Sequence, residues 1–462
     1  MGKIEERAAV DASNDIADFA ASLRWAAIDA GARRSAALFF HDSLCVGIAG
    51  AKAPLADSVL GAAQGWSGEG GSCLVLGRDQ CLPPAEAAFV NAFQIHAQEY
   101  DCVHEPAVVH PLATVLAVLL SDLGRGGERS GARLLTALTV GVQVAVALGM
   151  AATTPLRFFR PATAGIFGSV AAIGALRGLD AATIRDALGI ALAFTSGTMQ
   201  AHIEGKPTLP LQIAQAARSA VQAIDLAAAG FSGPMNAIEG PFGYLALFEE
   251  GHDSARLRAG LYDGLRVAEV SWKPFPSGRA SHGGIVAVQA LLAHGLGVSD
   301  LKTLTYRAPS LIERLVGRPA VADMTPAYAR LCFAWLAAVT LTRGTVDLDD
   351  FTPENLSDPA LLAIAAKVRV EVDDNPDPAA FVPATAVAIG TNGREFRESV
   401  AAQLGSPAWP LSREQHLTKA RGCLAFAGME DRHDALAALV DALPATADVA
   451  GALNAVLRRP TR

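Results

Sequence analysis

Three uncharged apolar segments constrain the fold of this chain more than any other feature of its sequence. Residues 134–152 read LLTALTVGVQVAVALGMAA, and similar apolar stretches recur at 164–176 and 188–199. A helix that is apolar on every side is either buried in a large helical core or embedded in lipid. Because Thr, Gln and Gly interrupt the first segment and no aromatic belt flanks it, we expect buried core helices rather than membrane spans.

The composition favours the same large helical core. Of the 462 residues, 51% are hydrophobic but only 6% are aromatic, so Ala, Leu and Val must fill the interior. Ala and Leu are strong helix formers. A net charge of −8 offers no basic stretch that could neutralise phosphates, so we expect no nucleic-acid partner. The six cysteines are scattered and the N-terminal residues are polar and acidic, which predicts a cytoplasmic protein without a membrane anchor.

The residue pattern changes at two places along the chain. Residues 1–265 read as successive helices, residues 266–405 alternate like strands around one helix, and residues 406–462 return to helix. Asn392-Gly393 between two alternating stretches predicts a hairpin. Strands are predicted at 265–271, 301–306, 368–372 and 385–389. We therefore predict a mainly α fold with an α+β lid: a large helical domain formed by both ends of the chain, and a smaller α+β domain between them.

One polar segment combines several side chains that can transfer protons. Residues 96–111, HAQEYDCVHEPAVVHP, contain three of the ten histidines and three carboxylates. Imidazoles titrate near neutral pH, so such a cluster suits acid–base chemistry. His96 lies on an apolar helix, where a structural role is the usual one, whereas His104 and His110 lie near prolines in a loop. The candidate catalytic residues of this segment are Glu99, Asp101, His104 and His110.

The same segment suggests a metal site as an alternative. His96, Glu99, Asp101 and His104 carry ligand atoms, and residues three apart can share a helical face. A paired metal motif is missing elsewhere in the sequence, which disfavours this alternative.

Candidate anion-binding side chains lie in three other segments. The sequence SWKPFPSGRASH carries Lys273, Arg279 and His282. Arg binds carboxylates through two parallel hydrogen bonds, and Lys supplies a point charge. Arg160 precedes a turn into an apolar helix, and Lys206 lies in a loop between two apolar helices. A solvated basic turn, an ordinary helix start and an exposed connection remain the alternatives for these three segments.

Taken in this order, the segments resemble the MmgE/PrpD family, which includes 2-methylcitrate dehydratase, cis-aconitate decarboxylase and iminodisuccinate epimerase. The resemblance covers nearly the whole chain. It implies a helical large domain, an α+β lid, an active site between them, a homodimer, and no metal or organic cofactor. The matching motifs are HDSLCVGIAG (41–50), AAFVNAFQIHAQEYDCVHEPAVVHP (87–111), RPATAGIFGSVAAIGALRGLD (160–180), ALGIALAFTSGTMQ (187–200), GFSGPMNAIEG (230–240), KPFPSGRASH (273–282) and FTPENLSDP (351–359).

The resemblance also implies roles for individual residues. The acidic residue of the family's AHxxEYDD-type segment falls on Glu99, with Asp101 beside it, and the histidine of its His-Pro pair falls on His110. The family's KPYPxCRxTH-type loop falls on the segment that contains Lys273, Arg279 and His282.

This chain departs from the family pattern at residues linked to catalysis. Where the family segment usually reads YDD followed by Thr-His, Cys102 and Val103 follow Asp101 here. Arg160 stands where many members have His, and Leu209 stands where characterised members have Lys. The substrates of the known members therefore do not transfer directly. A permanent cation at position 160 favours a more anionic substrate or a reaction that needs one fewer acid–base group.

We hypothesise a cofactor-independent lyase that acts on a small polycarboxylic acid. Proton transfer at a carbon next to a carboxylate would accompany loss of water or CO2. His110 and His282 would act as base and acid, and Glu99 or Asp101 would orient an imidazole. The substrate carboxylates would bind Arg160, Lys273, Arg279 and Lys206. On this hypothesis, His282→Ala lowers turnover by about 100-fold or more.

Three other functional classes stay open. An isomerase or epimerase of a dicarboxylate would use the same proton transfer without elimination. A carboxylate-binding protein that has lost catalysis through Arg160 and Leu209, or a purely structural helical protein, would transfer no protons.

Overall fold

The computed structural model describes residues 11–68, 70–126, 129–377 and 380–458. The predicted fold class is confirmed: the chain is mainly α, with a small α+β part. Strands β1 (Cys73–Leu74) and β2 (Cys81–Leu82) form a short antiparallel pair in the first half. The helices of this half are α1 (Ala12–Ser22), α2 (Ala30–Gly50), α3 (Ala56–Ser67), α4 (Pro84–His96), α5 (Pro111–Leu123), α6 (Gly131–Ala151), α7 (Arg160–Thr163), α8 (Gly165–Arg177), α9 (Ala181–Phe194), α10 (Gln200–Glu204), α11 (Thr208–Ala228), α12 (Tyr244–Phe248) and α13 (Ser254–Tyr262).

The middle part of the chain forms a smaller body around a mixed sheet. Its strands are β3 (Leu301–Ala308), β4 (Val368–Val372), β5 (Ala384–Gly390) and β6 (Glu395–Val400). The strand order is β4-β3-β5-β6, with β3 and β4 parallel and the other two pairs antiparallel. The helices of this body are α14 (His282–Ala293), α15 (Ser310–Val316), α16 (Pro326–Ala329), α17 (Phe333–Arg343), α18 (Pro353–Leu356) and α19 (Pro359–Ala365). Three helices follow it: α20 (Arg413–Phe426), α21 (His433–Ala442) and α22 (Val449–Leu457).

The hydrophobic cores of the two bodies are separate. The larger core joins side chains of α1, α2 and α4 to α13 with those of α20 to α22, so both ends of the chain pack together. Helix α3 packs in a smaller cluster with β1, β2 and part of α4. The second core lies between the sheet, α14 and α17. A domain division at 266 and 406 stays a prediction, and residues 1–10 and 459–462 of its outer parts lie outside the described residues.

The long apolar segment at 134–152 forms a core helix, as predicted. By length and composition α6 could cross a membrane, but 94% of its apolar window is buried inside the fold. Glycine permits its close packing on α8, since a Cβ at Gly168 would lie 2.5 Å from the carbonyl oxygen of Gly141.

The strand predictions are confirmed for three segments and wrong for one. The segments 301–306, 368–372 and 385–389 fall within β3, β4 and β5, and Asn392-Gly393 lies in the turn between β5 and β6. The alternating segment 265–271 instead contains a 3-10 helix, Arg266–Glu269. The guanidinium of Arg266 donates to the carbonyl oxygens of Ala259, Gly260 and Asp263, and these tertiary contacts hold the segment in a turn.

The helix α20 supports the loop that follows α4. Nζ of Lys419 lies 2.8 Å from Oδ1 of Asp42 and donates to the carbonyl oxygen of Tyr100 at 2.9 Å. The same ammonium lies 4.2 Å from the centre of the Tyr100 ring. Asp42 and Lys419 are both buried, so each needs the other's charge.

We predict that Lys419→Met lowers the free energy of unfolding by about 3–5 kcal/mol, because Asp42 is left buried without a counter-charge. Urea unfolding at neutral pH measures this loss. The double variant Asp42→Asn/Lys419→Met should recover part of it, since it buries no unpaired charge. A loss under about 1 kcal/mol for Lys419→Met would contradict the role of this ion pair.

Candidate active site

The candidate site is built on the connection between α4 and α5. Helix α4 ends at His96, and α5 begins at Pro111, directly after His110. Proline at the first helical position is compatible with a helix start because its missing N–H would have no partner there. The connection turns at Glu99, whose φ is +50°. A residue with a side chain is strained in that region, and such strain is concentrated at functional sites.

Asp101 lies between two imidazoles. Its Oδ2 is 3.1 Å from Nδ1 of His96 and 3.1 Å from Nδ1 of His110. The two rings meet edge to face, with centroids 4.9 Å apart. Asp101 is fully buried, whereas His110 keeps 13% of its side chain exposed. Within the described part of the chain, Nε2 of His110 has no hydrogen-bond partner, and His110 lies outside the residues that line the cavity described below.

A buried ion pair lies beside these three residues. Nζ of Lys273 is 2.7 Å from Oε2 of Glu99 and also donates to the Glu99 carbonyl oxygen at 3.2 Å. The same Nζ is 3.9 Å from Oδ1 of Asp101, and Nε2 of His96 is 3.6 Å from Oε1 of Glu99. We call these five residues the acid–base cluster: His96, Glu99, Asp101, His110 and Lys273.

The charges of the acid–base cluster separate the pKa values of its two imidazoles. Burial lowers the pKa of His96, but the charges of Asp101 and Glu99 outweigh burial and raise this pKa above 6.5. Burial also lowers the pKa of His110, and Asp101 does not offset it, so this pKa lies below 6.5. The surroundings therefore favour the protonated form of His96 and the neutral form of His110, as a paired acid and base require.

Both carboxylates of the cluster stay ionised. Burial opposes ionisation of Glu99, but Lys273 and His96 outweigh it and lower the pKa of Glu99 to about 2. Burial likewise opposes ionisation of Asp101, and His96 and His110 hold its pKa well below 3.8. A charged carboxylate between two imidazoles can orient both rings and stabilise whichever ring is protonated.

A cavity of about 250 Å³ opens beside the acid–base cluster. Its polar wall includes His96, Glu99, Lys206 and Arg330. Helices of the large body and the segment around α16 of the smaller body both contribute, so the cavity lies between the two bodies. The remaining wall is mostly apolar and consists of Pro54, Leu55, Phe93, Ala97, Ala201, Gly205, Pro207, Leu209, Pro210, Thr325, Pro326, Ala327 and Leu331.

Arg330 is a cavity residue that the sequence analysis missed. It is only 2% exposed, and its guanidinium lies 4.1 Å from the centre of the Phe351 ring. One Nη donates to the amide oxygen of Gln98, and no carboxylate among the described residues forms an ion pair with it. Burial lowers the pKa of Arg330 to about 9. The cavity wall therefore contains a buried cation that has no ion-pair partner among the described residues.

Arg160 is already neutralised by a carboxylate of the protein. Its Nε and Nη2 lie 2.8 and 2.9 Å from the two oxygens of Glu249, and Nη1 donates to the Ala107 carbonyl oxygen. The Tyr244 hydroxyl donates to the same carboxylate at 3.0 Å. These buried contacts attach the loop before α5 to the segment after α12, and they leave little of the guanidinium for a substrate.

Arg279 and His282 form a buried group outside the described cavity wall. Nε of Arg279 binds the carboxylate of Glu105, and Nη1 faces Nδ1 of His282 at 3.2 Å. Nε2 of His282 lies 3.2 Å from the Ser277 carbonyl oxygen, so both ring nitrogens have partners. Burial and the charge of Arg279 lower the pKa of His282 well below 6.5. The ring is neutral and both of its nitrogens have polar partners. This environment suits a residue that positions its neighbours.

The other predicted site residues divide between the loop and the cavity. The Nε2 of His104 is 3.3 Å from Oε2 of Glu269, and its Nδ1 accepts from the N–H of Ala107 at 3.2 Å, so His104 holds the loop. Lys206 and Leu209 both line the cavity, with Lys206 exposed and Leu209 buried.

Part of the acid–base cluster could also hold a metal ion. The ligand atoms of His96, Asp101 and His110 lie within 4.8 Å of one another. This set differs from the metal alternative drawn from the sequence, since Glu99 binds Lys273 and His104 binds Glu269. That the protein uses no metal stays a prediction.

Comparison with known proteins identifies the family. Residues 14–257 match the MmgE/PrpD N-terminal domain, and residues 275–444 match the MmgE/PrpD C-terminal domain. The chain belongs to the MmgE/PrpD family. The resemblance drawn from the sequence motifs is therefore confirmed.

Several similar proteins are cis-aconitate decarboxylases. The chain is 29% identical to cis-aconitate decarboxylase of Mus musculus over 84% of this chain and 82% of that protein. It is 29% identical to the Homo sapiens protein of that name over 63% of this chain and 62% of that protein, less than two thirds of its length. Identity to the Aspergillus terreus protein of that name is 24%, over 96% and 95% of the two chains. These relatives support a lyase-type enzymatic function.

Two functional features lay beyond the sequence analysis. A histidine on an apolar helix is most often structural, so the sequence favours that role for His96. Its partner Asp101 lies past a turn that no local sequence pattern predicts. Arg330 lies in the segment MTPAYARLCF, where an arginine is typical of a solvated helix start, and only the folded contacts show that it is buried.

The ion pair of the cluster predicts how stability depends on pH. Glu99 has a folded pKa of about 2 against an ordinary value of 4.5, so its ionisation stabilises the fold above pH 4.5 and this stabilisation is lost as pH falls toward 2. We predict that Glu99→Gln lowers the Tm at pH 7, because Lys273 loses its counter-charge, and makes the fall of Tm between pH 4.5 and 2 shallower. Thermal unfolding across pH measures both effects.

The exposed Glu250→Gln variant is the matched control and should follow the wild-type curve. An unchanged Tm for Glu99→Gln at pH 7, with the wild-type acid dependence retained, would contradict the ion pair.

Proposed function

We propose that this protein is a cofactor-independent lyase that acts on a small di- or polycarboxylic acid by proton transfer at a carbon next to a carboxylate, with loss of water or CO2. The observation that carries this proposal is the buried carboxylate of Asp101 between two imidazoles with opposed pKa shifts, beside a cavity. The lyase-type relatives support the reaction class. The substrate and the order of bond changes are part of the proposal.

In the proposed mechanism His110 is the base. Its pKa lies below 6.5, so its ring is neutral near pH 7, and its free Nε2 can accept a proton. As the ring becomes positively charged, the carboxylate of Asp101 at 3.1 Å stabilises it. For dehydration, His110 would remove the proton next to the substrate carboxylate while the hydroxyl group leaves.

His96 is the proposed acid. Its raised pKa favours the protonated ring, and the residue lines the cavity. It would protonate the departing hydroxyl group in a dehydration, or the carbon that loses CO2 in a decarboxylation. The charges of Glu99 and Lys273 would adjust the pKa values of the two rings. The surrounding loops would be positioned by His104, Arg160, Arg279 and His282.

An epimerase or isomerase of a dicarboxylate is the second candidate. The two imidazoles of the cluster meet at one carboxylate, and such a pair can remove a proton with one ring and return one with the other. A carboxylate-binding protein without catalysis is the third, supported by the neutralised Arg160 and the apolar Leu209 at family catalytic positions.

Two further parts of the proposal concern assembly and location. A homodimer is supported by four large apolar side chains exposed within one segment: Phe231, Met235, Phe242 and Leu247. A reducing compartment such as the cytoplasm is supported by six free cysteines.

The test is exchange or elimination in deuterated water across a panel of small di- and tricarboxylic acids, followed by NMR. We predict that His110→Gln lowers turnover of any active acid by about 100-fold or more, because the base is lost. His294→Gln, at an exposed histidine of α14's C-terminal end, should keep wild-type turnover. Wild-type turnover in His110→Gln would refute the base assignment.

The variant His282→Ala separates two assignments of the base. If His282 only positions Arg279, the variant should retain the pH dependence of kcat/KM while its turnover falls. Loss of the acidic limb of that profile in His282→Ala, but not in His110→Gln, would instead make His282 the base.

A further inference from the structure

We propose that the cavity selects a dicarboxylic acid with an apolar substituent over a tricarboxylic acid, and that Arg330 holds one of the two carboxylates. This inference rests on the proposed function and names the substrate class of the same site. Two observations support it. Most cations near the site already have carboxylate partners, and the rest of the cavity wall is mostly apolar.

Three of the cations expected to bind substrate already have carboxylate partners in the protein. Arg160 binds Glu249 through two hydrogen bonds. Arg279 binds Glu105, and Lys273 binds Glu99 at 2.7 Å. Each of these pairs is largely buried, so releasing its cation to a substrate would leave a carboxylate unpaired in the interior. The site can therefore bind fewer substrate carboxylates than its number of arginines and lysines suggests.

Arg330 differs from these three cations. Among the described residues its polar contact is with the neutral amide of Gln98, and its Nε is buried without a partner. The guanidinium lies over the face of Phe351, which holds its plane in one orientation. A planar guanidinium with free N–H groups at a cavity wall matches the two oxygens of a carboxylate.

Lys206 provides the second cation of the cavity. Its side chain is exposed at the wall, where it can meet a carboxylate at the entrance without desolvating fully. The other two titratable residues of the wall already have charged partners in the protein. His96 pairs with Asp101, and Glu99 pairs with Lys273. The described wall thus offers two cations, which match two carboxylates.

The rest of the wall opposes a third carboxylate and favours an apolar group. Leu209 is 6% exposed and stands with Phe93, Leu331 and several prolines around the cavity. An ionised carboxylate placed against such side chains loses its hydration without gaining a partner, which is costly. Burying an alkyl or aryl substituent at the same place makes the free energy of binding more favourable.

The test measures affinity by calorimetry for succinate, 2-methylsuccinate, 2-propylsuccinate, phenylsuccinate and citrate. We expect affinity to rise about fourfold per added methylene until the cavity is full. We expect citrate to bind at least about tenfold more weakly than 2-propylsuccinate, since one carboxylate lacks a cation. Citrate binding as tightly as the alkyl succinates would overturn the inference.

Two pairs of variants locate the determinants. Arg330→Met should abolish measurable binding of every acid, whereas Arg330→Lys should keep part of it because the charge remains. Leu209→Lys should strengthen citrate binding and weaken 2-propylsuccinate binding, and Leu209→Ala, its matched control, should weaken only the latter. Circular dichroism and Tm establish that each variant is folded. A folded Arg330→Met that binds as the wild type does would also overturn the inference.

Reactions in deuterated water, run on the same acids and on 2-alkylmalates, separate this inference from the proposed function. The alkyl succinates have no hydroxyl group to lose, so their binding order tests the selectivity alone. Alkylmalates that bind in the same order but lose neither water nor CO2 and exchange no proton would support the selectivity and overturn the lyase proposal. Turnover of citrate or aconitate with no benefit from alkyl groups would support the lyase proposal and overturn the selectivity.

Discussion

The buried carboxylate of Asp101 determines the chemistry of this site because two imidazoles depend on it for their charge. Desolvation alone would lower the pKa of both rings. Asp101 reverses this effect at His96, which also faces Glu99, and fails to reverse it at His110, where the charge of Lys273 adds to burial. The pKa values of two rings whose centroids lie less than 5 Å apart are therefore shifted in opposite directions.

Two lysines from distant parts of the chain hold the residues just before Asp101 in place. On one side Lys419 of α20 binds the carbonyl oxygen of Tyr100, the residue before Asp101, so the returning C-terminal helices support the active-site loop. On the other side Lys273, in the connection that leads to the smaller body, binds Glu99. Strain at Glu99 is tolerated because these buried contacts determine the loop's path. The site is thus a product of the whole fold rather than of one motif.

Local patterns in the sequence predicted what depends on neighbouring residues. The apolar helix α6, the turn at Asn392-Gly393 and the polar loop before Pro111 all follow from periodicity or turn chemistry. What depended on distant residues was not predictable: the segment 265–271 alternates like a strand, yet main-chain carbonyls of the preceding helix hold Arg266 in a turn. The charges of Arg160 and Arg279 likewise look free in sequence, and only folding brings Glu249 and Glu105 to them.

The most direct test of the central claim is an NMR titration of the histidine side chains in protein labelled at Cε1, in the wild type and in Asp101→Asn. In the wild type we predict a midpoint above pH 6.5 for His96 and below pH 6.5 for His110. In Asp101→Asn the midpoint of His96 should fall, because the largest charge that raises its pKa is gone. If both rings titrate on the same side of pH 6.5 in the wild type, or if His96 keeps its midpoint without Asp101, the account is contradicted.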